Sequence, residues 1–170
     1  MKQLRPKEIK KKFKRTKREK TVYVIAENIQ YARNVASMFR TADAAGVRRI
    51  YLTGISHTPP FGKELVKVSR SKERNVAWMS RKVANKTIDL LRREGFFTIA
   101  VELTDRSIDM SELPEIADEH DKICLVVGSE VHGVTKATLE SCDLSVHIPM
   151  YGAGKSINVA LSLGIILWQL

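Results

Sequence analysis

Cysteine is nearly missing. Only Cys124 and Cys142 occur in 170 residues, too few and too far apart for a disulfide framework or a CxxC site. They imply a reduced, cytosolic protein; Cys124, inside an apolar run, is read as core. The four histidines, His57, His120, His132 and His147, show no metal-ligand spacing, so no metal is expected. Long apolar runs are missing too. The longest, Ile157 to Leu170, contains Asn158 and Ser162 and is too short to span a bilayer, so no membrane partner is expected. The basic N-terminus holds no apolar h-region and is not read as a secretory signal. No strand is followed by GxGxxG, which disfavours a dehydrogenase. Beyond the basic N-terminus there is no repeat and no low-complexity tract.

The chain is otherwise ordinary for a soluble domain, with 44% hydrophobic residues and enough length for one buried core. Its charge is unevenly placed. The formal net charge is +10; residues 1–20 hold eleven Lys/Arg and two Glu, a net +9, and the other residues hold 18 basic and 17 acidic side chains, a net +1. The reading is a flexible basic arm over residues 1–20 and a nearly neutral domain over 21–170. Such an arm suits phosphate backbones or serves as a solubilising tail. Ile9 and Phe13 share a helix face, which allows a bound helix over Glu8–Arg18.

Strand and helix signals alternate along the domain. Strands are expected at Thr21–Glu27, Arg48–Thr53, Asn75–Met79, Phe96–Leu103, Ile123–Val127 and Leu144–Ile148. Helices are expected at Tyr31–Ala45, ended by Gly46 as a C′ residue, at Arg81–Glu94 with Ser80 as cap, at Thr135–Ser141 and at the C-terminus. Lys63–Lys72 and a turn near Ile108–Leu113 read as short helical pieces. The expected class is α/β, a mainly parallel sheet with helices on both faces. Ligands of such sheets bind at the carboxyl ends of strands. The loops Gly128–Gly133 and Pro149–Ser156 both lie there and are expected to share one pocket.

Three stretches carry polar residues that a core does not need. Asn34 and Arg40 lie six apart on the first helix. Both can border a site at the sheet edge, or Arg40 is simply solvated. In Gly128-Ser129-Glu130-Val131-His132-Gly133 the glycines permit close backbone approach. Glu130 is either a hydrogen-bond acceptor in a site or an acid complementing a helix dipole. The third stretch, Gly152-Ala153-Gly154-Lys155-Ser156-Ile157-Asn158, has the end of a phosphate-binding loop. That motif needs a glycine at position 149, where this chain has Pro149, so a nucleotidase is disfavoured. Ser156 and Asn158 instead open the last helix and turn polar groups toward a pocket.

In order and spacing these stretches resemble the SpoU (TrmH-like) family of SPOUT RNA methyltransferases. The residues are NVASMFRTADAAG from Asn34 to Gly46, then LVVGSEVHG, then IPMYGAGKSINVALSLG; the resemblance covers about Val22 to Leu170. It implies an α/β domain with a C-terminal trefoil knot, S-adenosylmethionine as cofactor, a homodimer, and methyl transfer to a ribose 2′-hydroxyl of tRNA or rRNA in the cytoplasm. Carried onto this chain, backbone around Leu103, Gly128, Ile148, Met150 and Ile157 holds the cofactor. Arg40 is the central catalytic residue, and Asn34, Glu130, Ser156 and Asn158 order it and the acceptor ribose. The stretch LVKVSRSKERNVAW is more basic than the family pattern, and no separate N-terminal RNA-binding domain is read. The arm is expected to supply that attraction. The competing reading on the same fold is a non-catalytic RNA-binding or assembly factor, which would be expected to have lost some of Arg40, Glu130, Ser156 or Asn158.

Overall fold

The computed structural model describes residues 2–5, 7–9 and 18–170. Seven strands form one sheet: β1 (Thr21–Glu27), β2 (Arg49–Thr53), β3 (Ala77–Arg81), β4 (Phe97–Val101), β5 (Ile108–Asp109), β6 (Lys122–Val127) and β7 (Leu144–His147). Their spatial order is β3-β2-β1-β6-β4-β7-β5. Every neighbouring pair is parallel, so all seven carboxyl ends lie at one edge. The helices are α1 (Ala32–Ala45), α2 (Lys63–Ser69), α3 (Ala84–Arg93), α4 (Leu113–Asp118), α5 (Lys136–Leu139) and α6 (Val159–Leu167). Of the helix suggested over Glu8–Arg18, Glu8 and Ile9 are described as helical and Arg18 is described; residues 10–17 lie outside the described residues.

Alternation along the strands sorts the core into two layers. Val24, Ala26, Ile50, Leu52, Ile123 and Leu125 face Val35, Met38, Phe39 and Ala42 of α1 and Leu163, Ile166 and Leu167 of α6. Ile25, Tyr51, Cys124 and Val126 face the other way, against Ala84, Ile88 and Leu91 of α3. Gly46 ends α1 at φ 74°. There the Gly46 and Val47 amides return to the carbonyls of Asp43 and Ala42, the paired bonds of a Schellman stop.

The structure corrects three expectations. Ile108–Asp109 is a seventh strand, not a helical turn: it pairs with Val146–His147, and helix begins only at Leu113 with a proline in its first turn. The third strand lies at Ala77–Arg81 because Lys72–Arg74 winds into a 3₁₀ turn first. Ser80 is paired opposite Leu52 within that strand, so it cannot cap the next helix, which starts at Ala84 after an extended Val83.

Candidate active site at the carboxyl end of the sheet

The connections leaving β1 and β6 turn opposite ways: β1 continues to β2 on one side, and β6 continues to β7 on the other. In a parallel sheet the crevice at such a switch point is where ligands bind. The loops after these two strands are Asn28–Tyr31 and Gly128–Val134.

Glu130 joins them. Its Oε2 accepts from the Gln30 amide at 2.9 Å, and its Oε1 accepts from the Tyr31 amide at 3.3 Å and from Asn34 Nδ2 at 2.6 Å. These amides open α1, whose N-cap residue Tyr31 provides no side-chain cap. The two readings of Glu130 thus merge: it complements a helix N-terminus, but that of α1, about a hundred residues earlier. Burial pushes its pKa up, yet the bonds from Asn34, Gln30 and Tyr31 outweigh this and hold it below the ordinary carboxylate value. It is therefore charged at neutral pH, and the stability it contributes is lost only as pH falls through that depressed pKa.

The direction of each bond follows from this carboxylate. It can only accept, so Asn34 must offer its amide nitrogen. The Asn34 carbonyl is then free, and Asn158 Nδ2 donates to it at 2.9 Å. The Asn158 carbonyl is free in turn and accepts from the amides of Ala160 and Leu161 at 3.0 and 3.4 Å, capping α6. One polar line thus runs Glu130–Asn34–Asn158 and ends in a helix N-terminus.

Glycine is required at two places. A Cβ on Gly128 would overlap the Gly133 carbonyl and the Val134 nitrogen, and Gly133 sits at φ 65° with the Glu102 carboxylate against it. This Glu102 accepts from the amides of Val134 and Leu103, tying the strand end of β4 to that of β6. Glu27 is a site-building residue that the sequence reading does not single out. It is buried at the end of β1, where it accepts from the Thr135 amide and hydroxyl, each at 2.9 Å, and from the Thr138 hydroxyl at 2.6 Å.

The expected cofactor residues cluster by topology. Leu103, Gly128 and Ile148 follow β4, β6 and β7, which are adjacent in the sheet, and Met150 and Ile157 lie on the loop leading to α6. Gly128 is buried, Ile148 and Ile157 are half-buried, and Leu103 and Val131 are 69% and 63% exposed. Uncovered apolar side chains beside glycine-rich backbone fit a flat heterocycle with a polar tail. Arg40 and Ser156 are exposed, and neither belongs to the hydrogen-bonded line. Among the described residues no three His, Cys, Asp or Glu side chains gather as a metal site, and no helix is long and apolar enough to cross a membrane.

The SpoU rRNA Methylase family matches residues 21–168. A tRNA (guanosine(18)-2′-O)-methyltransferase of Aquifex aeolicus is 32% identical over 90% of this chain and 70% of its own length. The crystal structure of the A. aeolicus TrmH/SpoU tRNA modifying enzyme superposes with a TM-score of 0.77 at 28% identity, covering 90% of this chain and 75% of that one. An AdoMet-bound rRNA methyltransferase from Sinorhizobium meliloti gives 0.75 at 26% identity, covering 89% of this chain and 56% of that one. The chain thus spans between 56% and 75% of the length of these proteins.

Proposed function

Because the chain belongs to the SpoU rRNA methylase family, we propose that it methylates a ribose 2′-hydroxyl of tRNA or rRNA with S-adenosylmethionine as donor. The observation that carries this is the Glu130–Asn34–Asn158 line at the switch point of the sheet. When bound, S-adenosylmethionine would lie at the ends of β4, β6 and β7 and would supply an electrophilic methyl group to the 2′-oxygen. Leu103, Gly128, Ile148, Met150 and Ile157 hold the donor through backbone and apolar contact. Arg40 presents a planar guanidinium with five N–H donors. It stabilises the negative charge developing on the 2′-oxygen and positions the ribose with its fork of donors. Asn34, Glu130, Ser156 and Asn158 set the geometry around it.

A homodimer belongs to the same reading. Helix α6 packs on α1, yet Leu161 and Trp168 remain 57% and 64% exposed. A helix apolar on every side calls for burial on every side, and a second copy supplies it. Leu161→Glu should convert a dimer to a monomer by light scattering; a variant that stays dimeric removes α6 from the interface. The knotted threading of residues 144–170 is also part of the proposal. Its support is that β7 lies beyond β4, while α6 returns to pack on α1, β4 and β6. Cytoplasmic location follows from the RNA substrate and the reduced cysteines.

The test is methyl transfer from labelled S-adenosylmethionine to tRNA and, separately, to rRNA, both from cells lacking this gene. The products are analysed for 2′-O-methylribose, with Arg40→Ala as control. Label on ribose in one pool, lost in the variant, establishes the reaction. Absence of cofactor binding overturns it in favour of a non-catalytic RNA-binding protein.

A further inference from the structure

We infer that the outer face of α3 is a second RNA contact, a basic groove that grips the phosphates of the strand beside the target ribose. The inference rests on the RNA-methyltransferase reading and adds where the nucleic acid lies. The groove has a volume of about 630 Å³ and is lined by Arg81, Lys82, Val83, Lys86, Asp89, Leu90 and Arg93, with Thr87 at its floor.

Charge is the first argument. Four cations face one acid in a domain whose remaining charge nearly cancels. Among the described residues none of the four cations makes an ion pair, whereas Lys72, Arg92 and Lys20 are paired with Asp43, Asp143 and Asp118. All four are exposed. Cations left unpaired on one face raise the local potential for a polyanion.

Position is the second argument. Arg81 ends β3 in the same cross-strand row as Thr53 and Glu27. At ~4.8 Å per strand this row spans about 10 Å. The Arg81 carbonyl accepts from the Gly54 amide, and the Asn28 side chain accepts from the Ile55 amide. Two residues beyond Asn28, the Gln30 amide meets Glu130. The groove therefore opens at the same sheet edge as the polar line and then runs back along α3. Lys86 and Arg93 lie seven residues apart on α3, about 10 Å along its axis, and Lys82 stands just before the extended Val83 that precedes the helix. Exposed Val83 and Leu90 lie between the charges and offer apolar contact to sugars and bases.

The experiment compares Lys82→Ala/Lys86→Ala with Lys63→Ala/Lys67→Ala. The second pair removes the same number of charges from α2, which packs on α1 and so lies on the opposite face. All four side chains are exposed, and equal cofactor binding by the two variants confirms that both fold. With the RNA pool that accepts methyl groups, the groove variant should raise KM for RNA on the order of tenfold at about 150 mM salt. It should also flatten the log–log salt dependence by about 1.5, from two phosphate contacts. The kcat at saturating RNA should hold, because the groove touches no reacting atom. KM and salt slope equal to those of the α2 variant overturn the inference while leaving the methyltransferase reading intact. If the unaltered protein transfers no methyl group, that reading fails by itself. Filter binding of the same RNA to the same variants then decides the groove: a selective loss supports it, and equal affinity overturns it.

Discussion

Arg40 carries the sharpest prediction at the scale of a single residue. It is exposed on α1, and its proposed work depends on the planar fork as much as on the charge. Arg40→Lys keeps the charge and loses the fork. Turnover should fall about 10²-fold or more, the loss seen when one stabilising donor is removed from a developing oxyanion, with cofactor affinity unchanged. Near-normal turnover would refute the role. Cys142 is a second case. Burial, with Asp143 and Glu27 adding to it, pushes its pKa up to about 12. At pH 8 only about 10⁻⁴ of it is thiolate, the reactive form. Native protein should therefore resist iodoacetamide at pH 8 and take up label only after unfolding, whereas labelling of the folded protein within minutes would contradict the burial.

Asn158 shows how an element and the site share one side chain. Its carbonyl caps α6 and its amide nitrogen holds Asn34. Asn158→Ala removes the cap and the bond to Asn34 and should cost ~1 kcal/mol of stability, the usual value of an N-cap, measured by urea unfolding. Asn158→Asp keeps the cap but puts a carboxylate against the Asn34 carbonyl. Asn34 then cannot serve Glu130 and residue 158 together, so this variant should unfold near the unaltered midpoint and still lose methyl transfer. Equal stability of the two variants would show that the cap contributes nothing. The glycine loop, the Asn–Arg helix and the final turn are legible in the sequence because each is local: an apolar run, then small and polar residues, then a helical period. The short strand β5 is not legible, since two residues carry no period. The roles of Glu27 and Glu102 are not legible either. Glu27 looks like the polar end of a strand, and the hydroxyls that hold it lie 108 and 111 residues further on. Only the parallel order of β1 beside β6 brings them together.

At the scale of the whole molecule the arm is rooted apart from the chemistry. The polar line sits at the carboxyl edge of the sheet, while the arm joins β1 at the opposite edge, one strand length or ~20 Å away. The root of the arm is fixed there. Arg18 Nη2 donates to the Leu167 carbonyl at 2.6 Å, so the guanidinium stands at the negative end of the α6 dipole, and Arg18 Cβ lies beside Gly46 at the end of α1. Its Nη1 is buried without a partner among the described residues, and burial pushes its pKa down. Lys20 is held by the Ala117 carbonyl and Asp118. Deleting residues 2–17 keeps both anchors and removes nine of the eleven basic residues of the arm. On the reading in which the arm contributes to RNA binding, a basic segment with this root acts through its charge and not by ordering the ribose. The truncated protein should bind full-length RNA more weakly and with a flatter log–log salt dependence, by about 0.7 to 0.9 for each phosphate that the arm had neutralised. Its turnover at saturating RNA should match the full chain. A short RNA around the methylated nucleotide should lose less affinity on truncation than full-length RNA does, since it offers fewer phosphates to the removed charges. Equal salt slopes for full-length RNA would assign the arm to solubility and leave the body of the domain as the whole of the RNA-binding surface.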